Sequence, residues 1–130
     1  MTADFDMTVP GHLESGGLAR RAIDAKYPML PTSVKDDLWL LVTELVTNAV
    51  RHGGAVNQPI QLEFRRRNGS IRVHVVDPGT DFEAPPRPTS GDSSGGWGLF
   101  LVDRIADRWG VQQAPSGTCV WFELPIGAAT

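Results

Sequence analysis

The sequence predicts an α/β fold, a two-layer sandwich in which helices cover one face of a mixed, mainly antiparallel sheet. Three observations carry this. On a wheel at about 100° per residue, Leu38, Leu41, Val42, Leu45, Val46 and Ala49 of the segment from Leu38 to Gly53 fall in one arc. The stretches Ile60 to Arg66 and Ser70 to Asp77 alternate with period two and meet at Asn68-Gly69, the dipeptide that most strongly specifies a tight hairpin. A second helix then leads into a second hairpin, Val111 to Ala114 and Thr118 to Pro125, turned at Pro115-Ser116-Gly117. A one-sided helix and a one-sided sheet each bury their apolar face against the other.

The 130 residues fit one domain, residues 1–130, large enough for a real core. Apolar residues make up 41% and charged residues 21%, which disfavours disorder. No apolar run approaches the roughly 20 residues that span a bilayer, and the start Met1-Thr2-Ala3-Asp4-Phe5-Asp6 lacks a secretory pattern. A cytoplasmic protein off the membrane is expected. The single cysteine, Cys119, reads as a small buried hydrophobe. A net charge of −3 argues against nucleic acid as a direct partner, because phosphate contacts need a clustered basic surface. The one basic cluster, Arg65-Arg66-Arg67, reads as a solvated strand end beside the hairpin turn.

Taken in order, Asp4 to Val9 alternates weakly before Pro10-Gly11 and suits a short edge strand. Leu13 to Lys26 is helical, with Leu18, Ala22 and Ile23 inward and a first turn weakened by Gly16-Gly17. Tyr27-Pro28 and Pro31 end it. Thr32 or Ser33 is the expected N-cap of the long helix, with Asp36-Asp37 in its first turn, and Gly53-Gly54 closes it. In the first hairpin Ile71, Val73 and Val75 share a face, and His74 on the other reads as a solvated strand histidine. The stretch from Gly79 to Gly95 is rich in proline, serine and glycine, a composition and length that fit a functional lid. It ends at Gly95-Gly96-Trp97-Gly98, from which a helix starts with Leu99, Val102, Ile105, Ala106 and Trp109 inward.

Two features look chemical. Glu44 and Asn48, four residues apart on the long helix, point the same way and flank its buried stripe. Arg51 and His52, by contrast, suit a helix end, where they complement the dipole. The glycine run opening a helix presents backbone N–H groups at the positive end of the dipole, which suits a phosphate. A P-loop is excluded because no lysine follows Lys35, and a dinucleotide fingerprint because Leu101 stands where its third glycine belongs.

Together ELVTNAVRHG, VVDPG at a strand end, GGWGLFLV opening a helix and GTCVWFELP resemble the four nucleotide-binding boxes of the GHKL ATPases. Within that superfamily the chain is similar to the anti-sigma-factor serine/threonine kinases of the SpoIIAB and RsbW type, from about Leu38 to Pro125. The resemblance implies the Bergerat ATP-binding fold with a flexible lid, and ATP and Mg²⁺ as cofactors. It assigns Asn48 as the metal ligand and Glu44 as the group that orients or deprotonates the attacking hydroxyl. Asp77 would accept a hydrogen bond from the adenine amino group, and Gly79 would let the backbone approach the base. Gly96, Gly98 and Leu99 would line the phosphates, and Thr118 would support Asp77 and the adenine. The implied partners are a sigma factor and a small STAS-type anti-anti-sigma antagonist, with a homodimer as a further possibility.

The chain departs from the family pattern where Thr80 follows Gly79 and where Ser93-Ser94 stands in place of a basic residue before the glycine pair, leaving Arg87 as the nearest lid cation. Losing a cation at the phosphates weakens catalysis more than binding. Two functions therefore follow: a protein kinase that phosphorylates the antagonist and otherwise sequesters the sigma factor, or an ATP-dependent binding module that moves no phosphate.

Overall fold

In the computed structural model, residues 4–52, 57–78, 97–114 and 117–126 are described. They form β1 (Phe5–Val9), α1 (Ser15–Lys26), α2 (Thr32–His52), β2 (Ile60–Arg67), β3 (Ser70–Asp77), α3 (Trp97–Ile105), β4 (Arg108–Ala114) and β5 (Gly117–Pro125). The strands make a five-stranded sheet in the order β1-β2-β3-β5-β4. Every described pairing is antiparallel, and β1 lies at an edge as its weak alternation predicts. The hairpin is as tight as Asn68-Gly69 requires, with Arg67 opposite Ser70 and Gly69 at φ 75. The expected lid, Gly79 to Gly95, and the closing Gly53-Gly54 lie outside the described residues.

Alternation sorts the sheet into two faces. One carries Val9, Ile60, Leu62, Phe64, Ile71, Val73, Val75, Val120, Phe122 and Leu124, all buried. The helices cover it: α2 packs on β3, β5 and α3, and α1 packs on α2 and β1. All six apolar residues of the predicted α2 stripe are in this core. Phe5 stacks on its cross-strand partner Phe64 at 4.3 Å between centroids, and buried Tyr27 leans against both rings. The end of α1 is thereby fixed to the β1 edge.

Three boundaries differ from the sequence expectation, each for a local reason. The Pro31 carbonyl already accepts the Lys35 N–H at 3.0 Å, so α2 begins one residue early and its first turn contains no acidic residue. In α1 the buried residues are Ser15, Gly16, Ala19 and Ile23, whereas Leu18 is 42% exposed. The rotation follows from Gly16, where a Cβ would stand 2.9 Å from both γ atoms of Thr43 on α2. Only a residue without a side chain leaves room there for Thr43. Finally, α3 stops at Ile105, and Trp109 belongs to β4. The Asp107 N–H donates to the Glu123 carbonyl at 2.8 Å, which starts strand pairing, and the Trp109 indole N–H donates to Asp103 at 2.9 Å.

The other sheet face carries long polar side chains. Glu123 accepts from Arg72 at 2.7 Å and from Arg108 at 3.0 Å, and Arg72 also stacks over the Trp121 ring at 4.4 Å. The indole lies across Gly110, where a Cβ would meet its Nε1 at 2.8 Å. Arg65 pairs with Asp6 at 2.7 Å, so one member of the basic cluster is engaged at the β1 edge. Cys119 is buried, and its thiol is pushed up to about 11 by that burial.

Candidate functional site

Polar side chains are scarce in the described interior. The buried ones are Ser15, Asn48, Asp77 and Thr118. Ser15 is explained by its hydroxyl, which donates to the Pro10 carbonyl at the start of α1. The other three lie on the helix-covered side of the sheet, and all three are residues singled out from the sequence. Burying a carboxylate, a carboxamide and a hydroxyl costs several kcal/mol unless something compensates, so these three are the residues from which a candidate site is built.

Asn48 faces this interior from α2 and is 7% exposed. Glu44, one turn earlier, is half-buried, and Leu40, one turn earlier again, is 40% exposed. The stripe Leu40, Glu44, Asn48 thus runs from solvent into the protein. Among the described residues no side-chain hydrogen bond or ion pair engages Glu44 or Asn48.

Asp77 ends β3 and shares the face of Ile71, Val73 and Val75. Its cross-strand partner is Thr118, which is fully buried and whose hydroxyl donates to the Gln113 side-chain carbonyl at 3.3 Å. The two boxes that the sequence separates by some 40 residues are therefore adjacent across one strand pair. Gly98 and Leu99 fall in the first turn of α3, which packs beside α2, and a first helical turn leaves N–H groups without intrahelical partners. Gly79 and Gly96 lie outside the described residues. No three His, Cys, Asp or Glu side chains gather into a metal-holding cluster among the described residues.

Sequence reading missed Gly117, treating it as a turn residue. It stands at φ 143, and a Cβ there would lie 1.9 Å from the Asp77 carbonyl oxygen. The start of β5 thus presses on the backbone of the residue that ends β3. A glycine inside a strand pattern signals such close approach, but the neighbouring Pro115-Ser116 gave a simpler explanation. His74 is on the opposite face from Asp77 and is half-buried rather than solvated. Its Nδ1 has no partner among the described residues, and desolvation holds its pKa below the usual 6.5, with nearby Arg72, Arg65 and Arg67 lowering it and Glu63 raising it.

A family model described as the histidine kinase-like ATPase domain matches residues 10–124. A serine-protein kinase RsbW from Oceanobacillus iheyensis is 28% identical over 118 residues, 79% of this chain and 75% of that protein. One from Listeria innocua is 31% identical over 110 residues, 75% of this chain and 66% of that protein. Among solved structures, the RsbU and RsbW domains of a Mycobacterium tuberculosis protein superpose with a TM-score of 0.71 at 18% identity, covering 94% of this chain and 32% of that one. The histidine kinase domain of a blue-light activated kinase from Erythrobacter litoralis gives 0.58 at 23% identity, covering 90% of this chain and 61% of that one.

Proposed function

Because the chain belongs to the histidine kinase-like ATPase family, we propose that it binds ATP with Mg²⁺ between the helix layer and the end of β3 and passes the γ-phosphoryl group to a serine or threonine of a protein. The observation that most supports this is the burial of Asn48, Asp77 and Thr118 on one side of the sheet. The RsbW names of its sequence relatives support a serine kinase over a histidine kinase. We further read it as a cytoplasmic anti-sigma factor in which residues 1–130 form one domain and pair as a homodimer, with a STAS-type antagonist as substrate and a sigma factor as the alternative partner.

In this reading the Asp77 carboxylate accepts from the adenine amino group, the Thr118 hydroxyl supports it, and Gly79 admits the base to the backbone. Backbone N–H groups of Gly98 and Leu99 in the first turn of α3 would hold the phosphates, with Gly96 assigned to the same role by the family resemblance. Asn48 would hold Mg²⁺ through its side-chain oxygen, a ligand type that suits a hard ion. Bound Mg²⁺ supplies neutralisation of the charge on the phosphate oxygens. Glu44 accepts the proton of the attacking hydroxyl, and its half-buried position leaves that hydroxyl a way in from solvent.

Calorimetry with ATP and Mg²⁺, followed by labelled-ATP transfer to candidate antagonists, tests this. Wild type binds and transfers. Glu44→Gln keeps ATP affinity and loses transfer by about 100-fold or more, within the range of general-base catalysis, and Asn48→Ala loses Mg²⁺-dependent binding. A wild-type protein that does not bind ATP ends the proposal. One that binds ATP and captures partners while never transferring label is an ATP-dependent binding module, the outcome that the missing lid cation at Ser93-Ser94 would favour.

A further inference from the structure

The kinase reading places the reacting hydroxyl at Glu44 but leaves open how a protein chain reaches it. In that reading the nucleotide lies beyond Asn48, at the inner end of the α2 stripe, which leaves the outer end for the acceptor. Toward the N-terminus of α2 the same stripe opens outward: Leu40 precedes Glu44 by one turn and Asp37 by two, and spacings of four and seven residues keep all three on one side of a helix. Leu40 is 40% exposed, one of four large apolar side chains exposed among the described residues. Asp37 and its neighbour Asp36 have no ion-pair or hydrogen-bond partner among the described residues. Carboxylates on other elements are engaged: Asp24 by Lys35, Asp6 by Arg65, and Glu123 by Arg72 and Arg108.

We infer that the outer half of α2, Asp37 and Leu40 leading to Glu44, is the track that receives the phosphoacceptor segment of the protein substrate and selects it by an apolar residue and a basic residue at fixed distances from the acceptor hydroxyl. The inference rests on the kinase reading. Helix rise fixes the distances: at 1.5 Å per residue Leu40 lies about 6 Å and Asp37 about 10 Å along the axis from Glu44. An extended segment advances about 3.3 Å per residue. The apolar side chain therefore belongs about two residues from the acceptor, and the basic one about three to four, on the same flank. Leu40 supplies the apolar contact, and the acidic pair favours Lys or Arg through charge complementarity, which sets specificity more than affinity.

The test uses a positional-scanning library of serine peptides with labelled ATP, read for wild type, Leu40→Ser and Asp37→Lys. Wild type favours an apolar residue near the acceptor and Lys or Arg beyond it. Leu40→Ser loses the apolar preference, and Asp37→Lys inverts the charged one, cutting transfer to Lys- and Arg-bearing peptides about tenfold and raising it for Asp- and Glu-bearing ones. ATP affinity by calorimetry stays at the wild-type value in both, because neither side chain is among those assigned to the nucleotide. If wild type transfers label and both variants return the wild-type profile, the track is wrong and the kinase reading stands. If wild type labels candidate antagonist proteins but no serine peptide, the track is likewise wrong and the kinase reading stands; if it binds ATP but labels neither, the kinase reading fails and the inference with it.

Discussion

A single missing side chain lets the start of β5 press on the end of β3. Gly117 has a φ of 143, a region open essentially to glycine, and its Cα lies against the Asp77 carbonyl. Alanine there meets both a backbone cost of about 1–3 kcal/mol and an overlap with a main-chain atom that has no rotamer to escape by. Gly117→Ala is therefore expected to lose about 2–4 kcal/mol in denaturant unfolding and to weaken ATP binding, because Asp77 moves with its carbonyl; an unchanged midpoint would show that the contact is slack. This residue also marks where sequence reading stopped short. Asn48, Asp77 and Thr118 could be singled out because chemistry-bearing types stood in recognisable boxes, and all three are buried, whereas Gly117 acts only through a distance between strands, which no local pattern encodes. His74 escaped for a related reason: alternation gave its face correctly, but its partial burial depends on cross-strand neighbours Glu63 and Trp121.

Among the elements, α2 was the most legible because its period is long and regular, and α1 the least because the residue that seats it is a glycine. Leu18 carries the apolarity that a wheel rewards, yet the contact is made by Gly16 against Thr43. Gly16→Ala gains about 1 kcal/mol of helix propensity but places a methyl 2.9 Å from both Thr43 γ atoms and 3.2 Å from its Cβ. Rotating Thr43 cannot clear a contact to its Cβ, and overpacking of this kind costs about 1–3 kcal/mol. A net loss of about 1 kcal/mol is expected, relieved in part when Thr43→Ala removes both γ atoms and leaves only the 3.2 Å Cβ contact. A double-mutant cycle in urea checks it, and purely additive effects would mean that the helices do not touch there. Similar limits explain α3. The apolar spacing from Leu99 to Trp109 continues past Ile105, but the sheet captures Asp107 and ends the helix.

For the whole molecule, two groups on the uncovered sheet face make stability depend on pH. His74 has a folded pKa below its ordinary 6.5, through desolvation, with Glu63 opposing and the arginines 72, 65 and 67 reinforcing the shift. The unfolded chain thus binds the proton more readily, and the His74 contribution is complete above about 6.5 and erodes as pH falls toward the lowered value. Glu123 has its pKa held below the ordinary 4.5, first by the hydrogen bond from Arg108 and also by Arg72. Its contribution is present above about 4.5 and lost as pH falls through the lowered value. Thermal unfolding followed from pH 8 to about pH 2 should therefore lose stability in two stages, the first no steeper than about 1.4 kcal/mol per pH unit, the limit for one proton. His74→Gln should flatten the stage below 6.5 and leave the Glu123 stage in place. A wild-type slope persisting in that variant would assign the first stage to another group.

The Asn68-Gly69 turn gains a practical meaning from its place in the sheet. β3 begins at that turn and ends at Asp77, so the strand holds them roughly 23 Å apart at about 3.3 Å per residue. The Gly69 carbonyl is occupied by the Ile126 N–H at 2.8 Å, which braces the turn from β5's far end. A dye, tag or surface tether grafted at Asn68 would ride on a lever whose other end is Asp77, reporting on the molecule from a strand's length away from the proposed nucleotide site.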